Sequence, residues 1–187
     1  YIRSASGINS AVYNIAITKA GSAVISALAI AAATNVTDNN GILFGSSAPT
    51  GWDGKVLFTK KLALGTDGHI MQQYMGGAHD TIITFKENNL SEVYTANTYK
   101  AGLQISSATP HYVFNNGTYT TTSITFALYD YLRIKVVGTA ITVEKSSNGT
   151  SWTTVYTFAY TRTTDLYIGM SVYGVSKVYG AKGFNLI

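Results

Sequence analysis

The chain has 187 residues, of which 12% are charged, with a formal net charge of +4 and no cysteine. That length suits one domain with a core large enough to need no covalent staples, and the absence of thiols excludes disulfides and thiolate metal sites. The Lys and Arg residues are scattered from Arg3 to Lys182, with Lys60-Lys61 the only adjacent pair, so the basic stripe that nucleic-acid binding needs is missing.

The chain starts at Tyr1 rather than Met and shows no basic n-region or cleavage pattern, which leads us to expect a mature product or an excised piece of something longer. Ala11, Tyr13, Ile15 and Ile17 alternate with other residues and predict a first strand. Lys19-Ala20-Gly21 predicts a turn. The run from Ala23 to Val36 follows; its Ala23–Ala33 part is too short and too interrupted by Ser26 to cross a membrane, and Val24, Ile25 and Ile30 are β-branched. It reads as a strand buried on both sides.

Thr37 to Gly41 (TDNNG) reads as a turn, Ile42–Gly45 as a short strand, and Ser46–Gly54 as a loop with Trp52 at its tip. Val56, Phe58, Leu62 and Leu64 predict a further strand, closed by a turn at Thr66-Asp67-Gly68. From His69 to Phe85 the pattern is strand, a break at Gly76-Gly77, then strand again. Asn88-Asn89 predicts another turn, Val93–Ile105 one or two short strands, and Ser106–Gly117 a longer loop holding Pro110 and His111.

Between Tyr129 and Phe158 the alternation is clearest. Leu132, Ile134 and Val136 alternate with Tyr131, Arg133 and Lys135, and Gly138-Thr139 suits a type II′ turn. That turn sets Val136 opposite Ile141, Ile134 opposite Val143 and Arg133 opposite Glu144, the last pair expected at the surface and worth little. Asn148-Gly149 predicts a type I′ turn into a third strand. A two-residue loop there sends Trp152 inward with Tyr156 and Phe158, whereas a three- or five-residue loop buries Val155 instead, and the sequence leaves both open. Leu166, Ile168, Met170 and Val172 alternate through Asp165–Tyr173. Gly174–Gly183, with Tyr179, reads as a connection, and Phe184–Ile187 as a last strand.

With roughly ten to fourteen strands, little helix, no repeat and no linker, the fold class is all-β: one domain over residues 1–187 in the form of a two-sheet antiparallel sandwich. The stretch LRIKVVGTAITVEKSSNGTSWTTV, the later LYIGMSVYG and the final strand with Phe184 resemble the C-terminal half of the concanavalin A-like lectin and glucanase jelly rolls. AVISALAIAAATN and GILFGSS sit where laminin-G-like members of that superfamily carry two early strands. The resemblance covers about three quarters of the chain and its motifs are structural, so it implies a jelly roll more strongly than it implies an activity.

Glycoside hydrolases of that superfamily carry carboxylates two or four residues apart on one strand, where alternation aims both into a cleft. The glutamates here are Glu87, Glu92 and Glu144, with no such spacing, and no catalytic residue is assigned. His69 and His79 lie near Asp67 and Asp80 but lack metal-ligand spacing, and His111 is distant. No metal ligand or cofactor is assigned; calcium, through Asp38, Asn39, Asn40 or Asp53, competes with their simpler use as turn formers. The 14 Tyr and 2 Trp supply rigid amphipathic surface, and Trp52-Asp53 between Gly51 and Gly54 offers an aromatic plane beside a carboxylate. Tyr74, His79, Asp80, Tyr173 and Tyr179 complete the candidate carbohydrate site.

The expected function is a non-catalytic, lectin-like module that binds a glycan or cell-surface receptor, extracellular or in a virion, as in a bacteriophage tail or fibre. Such a module is expected to meet other copies of itself or other virion proteins, with neither nucleic acid nor a membrane span. The alternatives are a structural virion or surface protein whose jelly rolls pack together, and a glycosidase built on Glu87 or Glu92.

Overall fold

Period-2 alternation organises the chain into fourteen strands and no helix among the described residues. The computed structural model describes residues 30–39, 42–45, 51–52, 54–74, 81–87, 99–106, 111–173 and 178–181, and for 37–39, 42–45 and 178–181 it describes the backbone alone. In chain order the strands are β1 (Ile30–Thr34), β2 (Val36–Asn39), β3 (Ile42–Gly45), β4 (Gly54–Leu62), β5 (Gly68–Gln73), β6 (Thr81–Lys86) and β7 (Tyr99–Ile105). They continue as β8 (His111–Asn115), β9 (Thr118–Thr122), β10 (Tyr131–Val137), β11 (Ala140–Ser146), β12 (Thr153–Thr157), β13 (Leu166–Val172) and β14 (Val178–Ala181).

Seven strands form one sheet in the order β1-β4-β13-β6-β7-β8-β9, four form a second in the order β12-β11-β10-β5, and β14-β3-β2 make a small third. All pairings are antiparallel. The core lies between the two larger sheets: Val56, Phe58, Ile83, Phe85, Leu103, Val113, Leu166, Ile168 and Met170 on one side meet Ile70, Leu132, Ile134, Val136, Ile141 and Val143 on the other. Burying each such side chain contributes about 1.5–3 kcal/mol, which is what holds the two layers face to face.

The hairpin pairing read from the sequence is present throughout: Val136 faces Ile141, Ile134 faces Val143 and Arg133 faces Glu144. Gly138 supplies the one positive φ, 57°, that a type II′ turn asks of its first loop position. The next turn departs from expectation. Gly149 has φ 74° but Asn148 is not left-handed, and the chain loops out from Ser146 to Trp152 before pairing again. The Asn148 side chain explains this: its Oδ1 accepts from the amides of Thr150 and Ser151 and from the Thr150 hydroxyl, a local cap that competes with the tight turn. The type I′ turn lies instead at Asn116-Gly117, with φ 47° and 81° and Asn115 opposite Thr118. Residues 111–115, expected within a loop, are therefore strand β8.

A bulge at Val155 resolves the open choice over Trp152. Tyr156 sits opposite Val143 but Thr154 opposite Glu144, so Val155, Tyr156 and Phe158 all pack on the core while Trp152 points outward. Other expectations shift as well. Residues 31–35 are exposed rather than buried on both faces, Thr37–Asn39 are strand rather than turn, and Leu64 is exposed in a turn at Ala63–Thr66. Residues 178–181 form β14 where a connection was expected. The strand expected at Ala11–Ile17, the turns at Lys19–Gly21, Gly76-Gly77 and Asn88-Asn89, and the strand at Phe184–Ile187 lie outside the described residues.

One polar group fixes the end of the sandwich. Arg162 is 2% exposed, and its guanidinium donates to the carbonyls of Leu62, Thr66 and Thr164 at 2.7, 2.8 and 3.1 Å. Three carbonyl acceptors thus satisfy a charge that is costly to bury.

Candidate functional site

Each strand of the seven-stranded sheet sends alternate residues into the core, so the residues between them form a second face turned away from it. Register assembles that face row by row. Ser171, Ile82, Gln104 and Tyr112 lie side by side across β13, β6, β7 and β8, and the next row is Gly169, Thr84, Gly102, Phe114 and, on β9, Tyr119.

Aromatic rings cross this face as a belt. Trp52 meets Tyr173 edge-on with centroids 5.5 Å apart and packs on the cluster of Ile82, Tyr99 and Phe114. Tyr99 meets Phe114 at 5.3 Å, Phe114 meets Tyr119 at 5.4 Å, and Tyr119 stacks on Tyr112 at 4.5 Å. The small residues beneath are a packing requirement: a Cβ on Gly102 would lie 3.3 Å from the Phe114 ring, and one on Gly169 would lie 3.2 Å from Cε of Lys86. Polar groups within the belt bond to one another and to the backbone. The Tyr99 hydroxyl and Ser171 Oγ are 2.5 Å apart, and the Thr84 hydroxyl donates to the carbonyls of Phe85 and Ala101. The face therefore offers ring surface, with Tyr119 45% exposed and Trp52, Tyr112 and Tyr173 half-buried.

Of the residues singled out in the sequence, the structure brings Trp52 and Tyr173 together here. Tyr74 packs elsewhere, against the main core with Phe126 at 6.0 Å and His111 at 6.4 Å. Tyr179 lies opposite Leu43 in the small sheet, where the backbone alone is described, and Asp53, His79 and Asp80 lie outside the described residues. Sequence reasoning missed Tyr99, Tyr112, Phe114 and Tyr119. The signal for three of them was present: once Asn116-Gly117 is taken as a two-residue turn, Phe114 must face Tyr119, and Tyr112 shares their side.

The two described glutamates have other duties, and Glu92 lies outside the described residues. Glu87 accepts from the Tyr160 hydroxyl at 2.6 Å and pairs with Lys100 at 3.1 Å. The Tyr160 hydrogen bond holds its carboxyl below the usual range, and burial together with Glu87 pushes the Tyr160 hydroxyl well above its own. A carboxyl kept ionised in this way is poorly placed as a general acid. Glu144 is 7% exposed and is engaged by Arg133, so the pair expected at the surface is largely buried. Among the described residues no three His, Asp or Glu side chains converge as a metal site would need. Of the residues weighed for calcium, Asp38 and Asn39 are described in backbone only, and Asn40 and Asp53 lie outside the described residues.

No protein-family model matches the chain, and no curated protein matches it. Solved structures do. The exoplasmic/lumenal domain of VIP36, in its Ca2+/Man3GlcNAc-bound form, is similar with a TM-score of 0.58 at 12% identity, covering 82% of each chain. A legume lectin-like domain from Entamoeba histolytica has a TM-score of 0.54 at 13% identity, covering 81% of this chain and 86% of its own. The PSpry domain of TRIM65 has a TM-score of 0.55 at 10% identity, covering 80% and 86%. At such identities the likeness is one of architecture, and in architecture this chain is a concanavalin A-like jelly-roll sandwich.

Proposed function

We propose that the chain is a non-catalytic, lectin-like carbohydrate-binding module that holds its glycan against the aromatic belt of the seven-stranded sheet. The observation that carries this is the belt itself: Trp52 and Tyr173 at one end and the stacked Tyr112 and Tyr119 at the other, on a rigid sheet. Such planes cover the C–H faces of pyranose rings and lose little conformational entropy in doing so, while tyrosine hydroxyls bond to the sugar's own. The similarity in fold to a structure solved with Man3GlcNAc bound supports the reading.

An extracellular or lumenal setting fits a surface of low charge rich in Thr, Asn and Tyr. Among the described residues no helix is long and apolar enough to cross a membrane. The narrower virion setting draws on composition alone. Calcium enters no step of this reading, which rests on the rings.

The test is calorimetric titration with neutral oligosaccharides chosen by a glycan array, on the chain and on Tyr119→Ala and Trp52→Ala. Each ring contributes about 0.5–1.5 kcal/mol, so each variant is expected to bind roughly two- to tenfold more weakly. An array without binding, or affinities unchanged in both variants, overturns the proposal. So does concentration-dependent self-association that Tyr119→Ala abolishes, because the belt is then an interface between copies.

A further inference from the structure

The outer face of the four-stranded sheet carries a second constellation that the glycan reading does not use. His69 of β5 pairs with Lys135 of β10, and one step along Arg133 pairs with Met71 on one side and Glu144 on the other. His69, Arg133 and Lys135, with Asp67, Gly68, Val136 and Val137, line a groove of about 280 Å³. Most of its charges are committed. Arg133 Nε donates to Glu144 Oε2 at 2.6 Å, and Nη2 engages the same oxygen. The Trp152 ring lies 3.9 Å from the guanidinium carbon. Asp67 Oδ1 accepts from the Gly138 amide at 2.7 Å.

Lys135 is different. Its ammonium stands 3.6 Å from Glu144 Oε1, beyond a good hydrogen bond, and its side chain is 36% exposed. His69 is 6% exposed, and among the described side chains the charged groups around it are Arg133 and Lys135 from β10, Glu144 from β11 and, in the same groove, Asp67 from the preceding turn; the backbone of β14, whose one titratable residue is Tyr179, runs near β5. Burial and then Arg133 lead in pushing its imidazole down to about 4, with Lys135 adding to them and Glu144 opposing. The field on that ring is net positive.

We propose that this groove binds a small oxyanion, a carboxylate or sulfate either free or carried on a sugar, held by the Lys135 ammonium and a His69 N–H over the fixed charge of Arg133. A second cation is repelled by the same pair, and a neutral ligand forgoes the charge-assisted hydrogen bond that an anion accepts from the ammonium. The bound anion faces the imidazole and favours its protonation, so proton and anion bind cooperatively and affinity rises as the pH falls.

Sulfate is the probe, because its charge stays constant over the range in which His69 titrates. In NMR titrations of the intact chain we expect saturable shifts of the His69 ring and the Val137 amide at millimolar sulfate. The His69 pKa should rise by about one unit, which corresponds to roughly tenfold tighter binding to the protonated form. Lys135→Gln should weaken binding about fivefold or more, and Asp67→Asn should strengthen it. A sugar sulfate that binds more tightly than the free ion assigns the site to acidic glycans, and equal binding assigns it to the ion itself. Absence of saturable shifts at tens of millimolar sulfate near pH 5, or shifts unchanged in Lys135→Gln, overturns the proposal.

Discussion

The outer faces of the two large sheets arise from the same alternation and end as opposites. Across the aromatic belt of the seven-stranded sheet neutral groups pair with one another, as Tyr99 does with Ser171, with Lys86 buried beside Gly169 and Lys61 paired with Asp165 in the row beyond, and what remains in the belt is ring surface. On the four-stranded sheet the outward residues pair charge with charge, and what remains is an ammonium and a buried imidazole in a groove. The contrast shows that alternation specifies the core between the sheets and leaves each outer face to be set by how its own polar groups are satisfied. Neutral pairs can be laid flat under aromatic rings. Charges need each other, and Lys135, 3.6 Å from Glu144, is the most loosely held of its set.

The largest test of this contrast uses pH. His69 in the folded chain titrates near 4, below the value of about 6.5 for an unfolded histidine. Between those two values the unfolded chain binds a proton that the folded chain does not, so stability is full above about pH 6.5 and falls as the pH drops toward 4. The loss amounts to about 3 kcal/mol, read from urea midpoints across that window. His69→Gln should flatten that part of the profile, whereas Tyr119→Ala on the other face should leave it intact. A flat profile in the parent chain would mean that burial and the cationic neighbours do not hold the imidazole neutral.

Next in size is Glu144→Gln. It removes the counter-charge from Arg133 and Lys135 while keeping the shape, and the side chains of Arg133 and Glu144 are only 13% and 9% exposed. Breaking a fully buried pair from one side costs about 3–5 kcal/mol, and the residual exposure here brings that to about 2–3 kcal/mol, most of which Arg133→Met with Glu144→Leu should recover. Chemical denaturation of the parent chain and the two variants decides the matter. If the double variant is as unstable as the single one, the face depends on more than charge pairing.

The same contrast explains what the sequence showed and what it hid. Pairings that depend on backbone register and turn geometry were legible, as Val136 with Ile141 and Arg133 with Glu144 show, because a Gly-first two-residue loop leaves one register that keeps apolar residues on one face. Features set by side-chain competition were not. Asn148 spends its carbonyl oxygen on its own loop and abolishes the tight turn, while Asn116, with the same Gly after it, forms one. The bulge at Val155 then moved Trp152 onto Arg133. At the site, Trp52 and Tyr173 could be nominated as aromatic residues, but their meeting depends on tertiary geometry that no local pattern encodes. The depth of the Arg133–Glu144 pair was hidden as well, since strand register says which residues are opposite and nothing of what lies over them.

On the seven-stranded sheet the matching test is Gly102→Ala. The added methyl lands 3.3 Å from Cβ and Cδ2 of Phe114, which is fully buried, so the ring must shift by a few tenths of an ångström and carry Tyr119 with it. Alanine's lower backbone entropy in the unfolded chain offsets part of the strain, and the net cost is about 1 kcal/mol. Calorimetry on the variant should show glycan affinity falling while sulfate binding in the groove is unchanged.

The smallest stability effect, and the sharpest separation of the two faces, is expected from Tyr119→Ala beside Lys135→Gln. Tyr119 is 45% exposed and Lys135 projects into a groove, so each substitution should change unfolding free energy by no more than about 0.5–1 kcal/mol. The ring contacts and ion pairs described for the two residues share no partner, so the two effects should add. In binding, Tyr119→Ala should weaken glycan and spare sulfate, and Lys135→Gln should do the reverse. Measured as a two-by-two set, the double variant should lose both activities by the product of the single losses. A coupling of more than about 0.5 kcal/mol between the two substitutions would mean that the sandwich transmits strain from one outer face to the other, and that the two faces must be read as a single site.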